Sequence, residues 1–67
     1  MDISARNQLR GTVKSVKVDG LMAEVLVDVA GQEIVSTITR GSADRLALKQ
    51  GDVVVVIIKA SEVMIAK

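Results

Sequence analysis

The chain has 67 residues, enough for one small domain. Nine Lys and Arg against eight Asp and Glu leave a formal net charge of +1, which gives no bulk electrostatic reason to bind nucleic acid or an anionic membrane. Cys, His, Phe, Tyr and Trp are all absent, which excludes zinc ribbons, disulfide frameworks, Ser-His-Asp and Cys-His catalytic sets, and the aromatic stacking platform of most single-strand binders.

Hydrophobic residues make up 49% of the chain, including twelve Val, six Ile and five Leu, the composition of a folded aliphatic core. Domains below roughly 70–80 residues seldom obtain more than about 3–5 kcal/mol from one core. Without disulfides or soft metal ligands, oligomerisation is the remaining device, so a homo-oligomer is expected. The longest apolar run, Val53 to Ile58, is too short to span a bilayer. Met1 to Ser4 shows neither a basic n-region nor an apolar h-region. No membrane partner is expected, and the setting expected is the cytoplasm.

The first strand reads from Gln8 to Val18. Leu9, Gly11 and Val13 share one parity, whereas Val16 and Val18 share the other, so a β-bulge near Lys14-Ser15 is needed to bury both sets. Asp19-Gly20 is a hairpin signal. The second strand, Leu21 to Val29, buries Ala23, Val25, Val27 and Val29 by alternation, with Met22 and Leu26 on the other face. Ala30-Gly31 turns the chain into a third strand, Glu33 to Thr39. Gly41-Ser42 breaks that strand, and Ser42 is the expected N-cap of a short helix running to Leu48, with Asp44 in its first turn. Gln50-Gly51-Asp52 makes a turn. A fourth strand, Val53 to Lys59, is apolar throughout and is expected to be covered on both faces. Ala60-Ser61 links it tightly to a fifth, Glu62 to Ala66. The pattern predicts an all-β fold: a small five-stranded OB-like Greek-key barrel with one short helix between strands 3 and 4, residues 1–67 forming a single domain.

Catalysis has little to draw on. The carboxylates are scattered over turns and exposed strand faces, where solvated charge is the ordinary reading. No glycine-rich phosphate loop occurs. The chain is therefore expected not to be an enzyme. Polar donors, by contrast, gather at strand ends. Ser4, Arg6 and Asn7 precede the first strand; Thr37, Thr39 and Ser42 surround the strand-to-helix junction; Lys59 and Ser61 bracket the last tight turn. Their cations are Arg6, Arg40 and Lys59, and no carboxylate lies inside the clusters. Gly41-Ser42 adds backbone N–H groups at a helix start. Donors without acceptors suit a fully deprotonated oxyanion. Ser and Thr also serve as caps and turn formers, and at this level both readings stand.

The opening Ser4-Ala5-Arg6-Asn7-Gln8-Leu9-Arg10-Gly11, followed by Val13 and Val16, strongly resembles that of the molbindin (Mop) family, which is related to TOBE domains. Ile38-Thr39-Arg40-Gly41-Ser42-Ala43, with Leu46 and Leu48, resembles the family's second signature. Val56-Ile57-Ile58-Lys59-Ala60-Ser61-Glu62-Val63-Met64 resembles the third. The resemblance covers the whole chain and implies a single Mop/TOBE-type domain over 1–67. It implies that molybdate or tungstate is bound as an intact oxyanion between subunits of a homo-oligomer, a hexamer in single-domain members, with no protein ligand on the metal. The role implied is intracellular molybdenum storage. Carried over residue by residue, Ser4, Ala5, Arg6, Lys59, Ala60 and Ser61 form one side of a site, and Thr39 and Ser42 come from a neighbouring subunit. Arg40 is given no role. The alternative reading is an OB-type nucleic-acid-binding or regulatory assembly module, against which the missing aromatics and the charge of +1 weigh.

Overall fold

A computed structural model describes residues 2–67. Its elements in chain order are strand β1 (Asn7–Asp19), β2 (Met22–Val29), β3 (Gln32–Thr39), helix α1 (Arg40–Arg45) and β4 (Val53–Ile58), followed by a 3-10 turn, Ala60–Glu62. All strand pairings are antiparallel, and the sheet order is β3-β2-β1-β4. Three consecutive strands thus pair in sequence and the fourth returns beside the first, which is the Greek key expected.

The bulge sits where the parity switch requires it. Val13 pairs with Val27, but Ser15 pairs with Leu26, leaving Lys14 as the extra residue. Gly11 and Val13 are buried before it and Val16 packs on the core after it, whereas Leu9 and Val18, also expected inside, are exposed. Gly11 is required by close approach. A Cβ there would stand 2.6 Å from the Asp28 carbonyl oxygen and 2.7 Å from Val27 Cγ1. The β2–β3 hairpin closes through Ala30 and Gly31, at φ 49° and 85°, the paired positive angles of a two-residue turn that matches strand twist. In the first hairpin, Asp19 pairs with Met22, so the loop is Gly20-Leu21 and not Asp19-Gly20.

The core is Val13, Val25 and Val27, with Val16, Val29, Ile38, Leu48, Val54 and Val56 packed against it. Ala23 and Ala43 are also buried, Ala43 being the residue that seats α1. The β2 alternation holds: Ala23, Val25 and Val27 are buried and Val29 is half-buried.

Three further expectations are corrected. The helix is capped by Thr39, not Ser42. The Thr39 hydroxyl oxygen accepts the Ser42 N–H, the helix ends at Arg45, and Asp44 lies beyond the first turn. Both residues are good caps; Thr39 keeps extended angles (φ −71°, ψ 149°) as the last residue of β3, so the helix begins directly off the strand. Secondly, β4 is covered on one face only, with Val53 71% and Val55 42% exposed. A continuous apolar run does not reveal how many faces are covered, and one chain supplies cover for one. Thirdly, there are four strands and not five. Glu62 N–H bonds back to the Lys59 carbonyl at 2.9 Å, and the chain beyond this turn leaves the sheet. Met64 and Ile65 are 94% and 88% exposed. The sheet curls but is not closed among the described residues: β3 and β4 remain its two edges, and an apolar cleft lined by residues such as Val27, Ile38, Leu48 and Val54 opens between them.

Candidate functional site

The β1–β4 ladder decides where the first donor cluster lies. Asn7 pairs with Ile58, so the residues leading into β1 and those leaving β4 are side by side. Between them is a shallow hollow of about 620 Å³ lined by Ile3, Ser4, Ala5, Arg6, Ile57, Lys59, Ala60 and Ser61. Six of the eight residues singled out from the sequence therefore share one surface. Local bonds shape both of its walls. The Gln8 side-chain amide donates to the Ala5 carbonyl at 2.7 Å, and the Glu62 N–H bond turns the chain at Ala60-Ser61.

The electrostatics of the hollow are those of an anion receptor. The ion pairs among the described residues are Lys14–Glu33, Arg40–Asp44 and Lys49–Asp52, and neither Arg6 nor Lys59 takes part in any. Both cations are exposed, as are Ser4 and Ser61, whose hydroxyls can donate. Arg6 offers a planar fork of donors and Lys59 a compact point charge. Such a set can donate to the oxygens of an anion.

Thr39 and Ser42 do not line this hollow. Thr39 ends β3 and pairs with Met22 at the start of β2, next to the β1–β2 hairpin. Asn7 and Ile58 stand at the other end of β1, toward the other edge of the sheet. Within one chain the two donor clusters lie at opposite ends of the sheet.

The second cluster is a small network. Thr39 Oγ1 donates to Ser42 Oγ at 2.9 Å and accepts the Ser42 N–H at 3.1 Å, and Arg45 Nη2 donates to Ser42 Oγ at 3.0 Å. Arg45 was not singled out from the sequence, although its i,i+3 spacing from Ser42 on a helix was the available signal. The backbone donors expected here are partly spent. Of the Gly41-Ser42 pair, the Ser42 N–H is taken by Thr39 Oγ1, and just before the pair the Arg40 N–H bonds the Leu21 carbonyl at 2.8 Å. Arg40 faces Asp44 at 4.0 Å.

Comparison with known proteins agrees with this architecture. The TOBE domain model matches residues 3–65. Molybdenum-pterin-binding protein 1 of Clostridium pasteurianum is 42% identical over 66 residues, covering 97% of each chain. The structure of a molybdate-binding protein from Sporomusa ovata superposes with a TM-score of 0.95 at 40% identity, covering all of both chains. The cytoplasmic molybdate-binding protein ModG, in a crystal form with molybdate bound, matches at a TM-score of 0.84 and 39% identity over 90% of this chain and 43% of its own. The chain belongs to the TOBE domain family and, within it, to the small molybdenum-pterin-binding, or Mop, proteins.

Proposed function

We propose that this protein binds molybdate or tungstate as an intact oxyanion at interfaces between copies of itself, and holds it as a cytoplasmic store. The observation that carries this is the hollow in which Arg6 and Lys59, free of carboxylate partners, meet the Ser4 and Ser61 hydroxyls. The relatives reported above are named for binding molybdate or molybdenum-pterin, and one of them, ModG, for being cytoplasmic. The reading is of binding without catalysis, by residues 1–67 acting as one Mop/TOBE-type domain.

In this reading Ser4, Ala5, Arg6, Lys59, Ala60 and Ser61 of one chain face Thr39 and Ser42 of another. The separation of the two clusters within a chain supports that arrangement, because neither alone encloses an anion. Assembly is supported by the apolar surface one chain leaves uncovered: the cleft between β3 and β4, Val53 and Val55 on β4, and the tail at Val63, Met64 and Ile65. A hexamer is the expected closed form.

Native mass spectrometry of the protein with and without molybdate, together with its metal content as purified, tests the reading. The expected result is an oligomer whose mass rises by whole oxyanions. An oligomer that takes up no molybdate or tungstate overturns it.

A further inference from the structure

The segment that leads into β1 and carries Ser4, Ala5 and Arg6 has a single tether. The Gln8 side-chain amide donates to the Ala5 carbonyl at 2.7 Å, and no other hydrogen bond holds residues 2–6 among the described residues. Chemistry fixes the direction of this bond: a carbonyl oxygen only accepts, so the amide nitrogen must face it. Gln8 is itself held by the sheet. It pairs in β1 with Ile57, which lines the hollow, while Gln8 stands outside the lining.

The bond has two consequences for the hollow. Ala5 belongs to its wall, and a free carbonyl there would set partial negative charge against an anion; Gln8 takes that oxygen. The peptide joining Ala5 to Arg6 is planar and trans, so its N–H points opposite to its C=O. With the carbonyl turned to Gln8, the Arg6 N–H is turned away from it, and that N–H bonds no acceptor among the described residues. We propose that Gln8 is a positioning residue for the oxyanion, which by taking the Ala5 carbonyl fixes the wall of residues 4–6 and presents the Arg6 backbone N–H to the anion beside the Arg6 guanidinium. The proposal rests on the placement of this wall at the oxyanion given above. A backbone donor has no side-chain rotamers to lose, so it orders more cheaply than the long Arg6 and Lys59 side chains.

The test is calorimetric titration of the assembled protein with molybdate at neutral pH and fixed ionic strength, together with the amide resonances of isotope-labelled protein. Gln8 is exposed, so its replacement leaves the core intact. Gln8→Met, similar in length but without a donor, is expected to weaken molybdate by about three- to tenfold, the scale of one hydrogen bond. It should leave the melting temperature of the ligand-free protein near the parent's. Molybdate is expected to shift the Arg6 amide proton downfield in the parent and not in Gln8→Met. Gln8→Lys, which regains a donor, is expected to restore that shift. A merely structural role would lower affinity and ligand-free melting temperature together and leave the Arg6 shift in place, which overturns the proposal. Parent affinity in Gln8→Met, with binding weakened in Arg6→Ala, overturns the role of Gln8 alone. Parent affinity in both Gln8→Met and Arg6→Ala overturns the placement of this wall, and the proposal with it.

Discussion

Asn7 and Ile58 are partners in the β1–β4 ladder, and this pairing brings together two donor segments some fifty residues apart in sequence. Arg6 and Lys59 each stand one residue outside it. Their proximity is thus fixed by backbone register and needs no bond between the side chains themselves.

That arrangement makes charge placement testable. Charge-assisted hydrogen bonds to an oxyanion are roughly twice as strong as neutral ones. Arg6→Ala and Lys59→Ala are each expected to weaken molybdate binding by more than about tenfold, the loss of a bond of that kind. Arg10 is also exposed, but it lies within β1 opposite Val55 and outside the hollow. Arg10→Ala is expected to change affinity little. Equal losses from Arg6→Ala and Arg10→Ala, titrated at the same salt, would show that the general field of the protein attracts the anion and not a site.

The site's dependence on assembly can be separated from folding through the tail. Met64 and Ile65 are almost wholly exposed within one chain, so polar substitutions there remove little that the chain packs for itself. Met64→Lys combined with Ile65→Lys is expected to lower the assembled mass in sedimentation and to reduce molybdate binding with it. It should leave the far-ultraviolet spectrum of the sheet intact. A folded monomer with the parent's affinity would show that each site is complete in one chain. By the same linkage, molybdate is expected to raise the melting temperature of the parent, since a ligand bound only by the assembly stabilises it by mass action.

Much of this was legible from residues because the relevant physics is local. The parity switch after Val13 announced a bulge, and the Val-rich alternation of β2 announced its buried face; glycine-marked turns suggested a closed barrel, and the sheet stays open between β3 and β4. The donor cluster at Ser4, Arg6, Lys59 and Ser61 was legible as a set of residue types. What failed was whatever depended on neighbours outside the chain or on competition between equals. Glu62 to Ala66 is apolar from Val63 onward, as a short strand can be, but a strand forms only where an edge is offered to it. Val53 to Ile58 is apolar throughout, yet within one chain only one of its faces is covered. Thr39 and Ser42 are both good caps, and the end of β3 decided between them. Arg45 was missed because its partner is an uncharged hydroxyl, and the i,i+3 spacing from Ser42 has meaning only once the helix is known to include both.

Asp52 makes the turn into β4 sensitive to acid. Its carboxylate accepts the Lys49 backbone N–H at 3.0 Å and lies 3.2 Å from Lys49 Nζ, and these contacts hold its pKa below the ordinary 3.8. The same turn is bonded to the bulge, since Val13 N–H donates to the Asp52 carbonyl at 2.9 Å and Gly51 N–H to the Val13 carbonyl at 2.8 Å. A carboxyl depressed in the folded state contributes stability that is fully present above its unfolded value of 3.8 and is lost as pH falls through the lower folded value. Asp52→Ala is therefore expected to lower the melting temperature at neutral pH. It should also flatten the decline of stability below the unfolded value. A parallel decline in parent and variant, followed by calorimetric melting over that acid range, would show that the turn carries no such linkage.

Selectivity should follow from the chemistry of the anion as much as from its charge. At neutral pH phosphate carries at least one O–H, which needs an acceptor, while the proposed lining of Ser4, Arg6, Thr39, Ser42, Lys59 and Ser61 has no carboxylate to provide one. A hydroxyl there can accept only by turning from another bond. Leaving a buried polar group unsatisfied costs roughly 1–3 kcal/mol, enough for about ten- to a hundredfold discrimination against phosphate. Sulfate is unprotonated, so hydrogen-bond logic does not reject it. Its shorter bonds are expected to, because donors spaced for the larger tetrahedron of molybdate lie out of their reach. Tungstate has nearly the size and the same charge as molybdate, and meets every donor that molybdate meets. Competition calorimetry is therefore expected to show tungstate displacing molybdate at comparable concentration, sulfate only in large excess, and phosphate only beyond about a ten- to a hundredfold excess. Sulfate competing at parity would show that the donors do not measure size, and that the hollow between Arg6 and Lys59 is a general anion receptor.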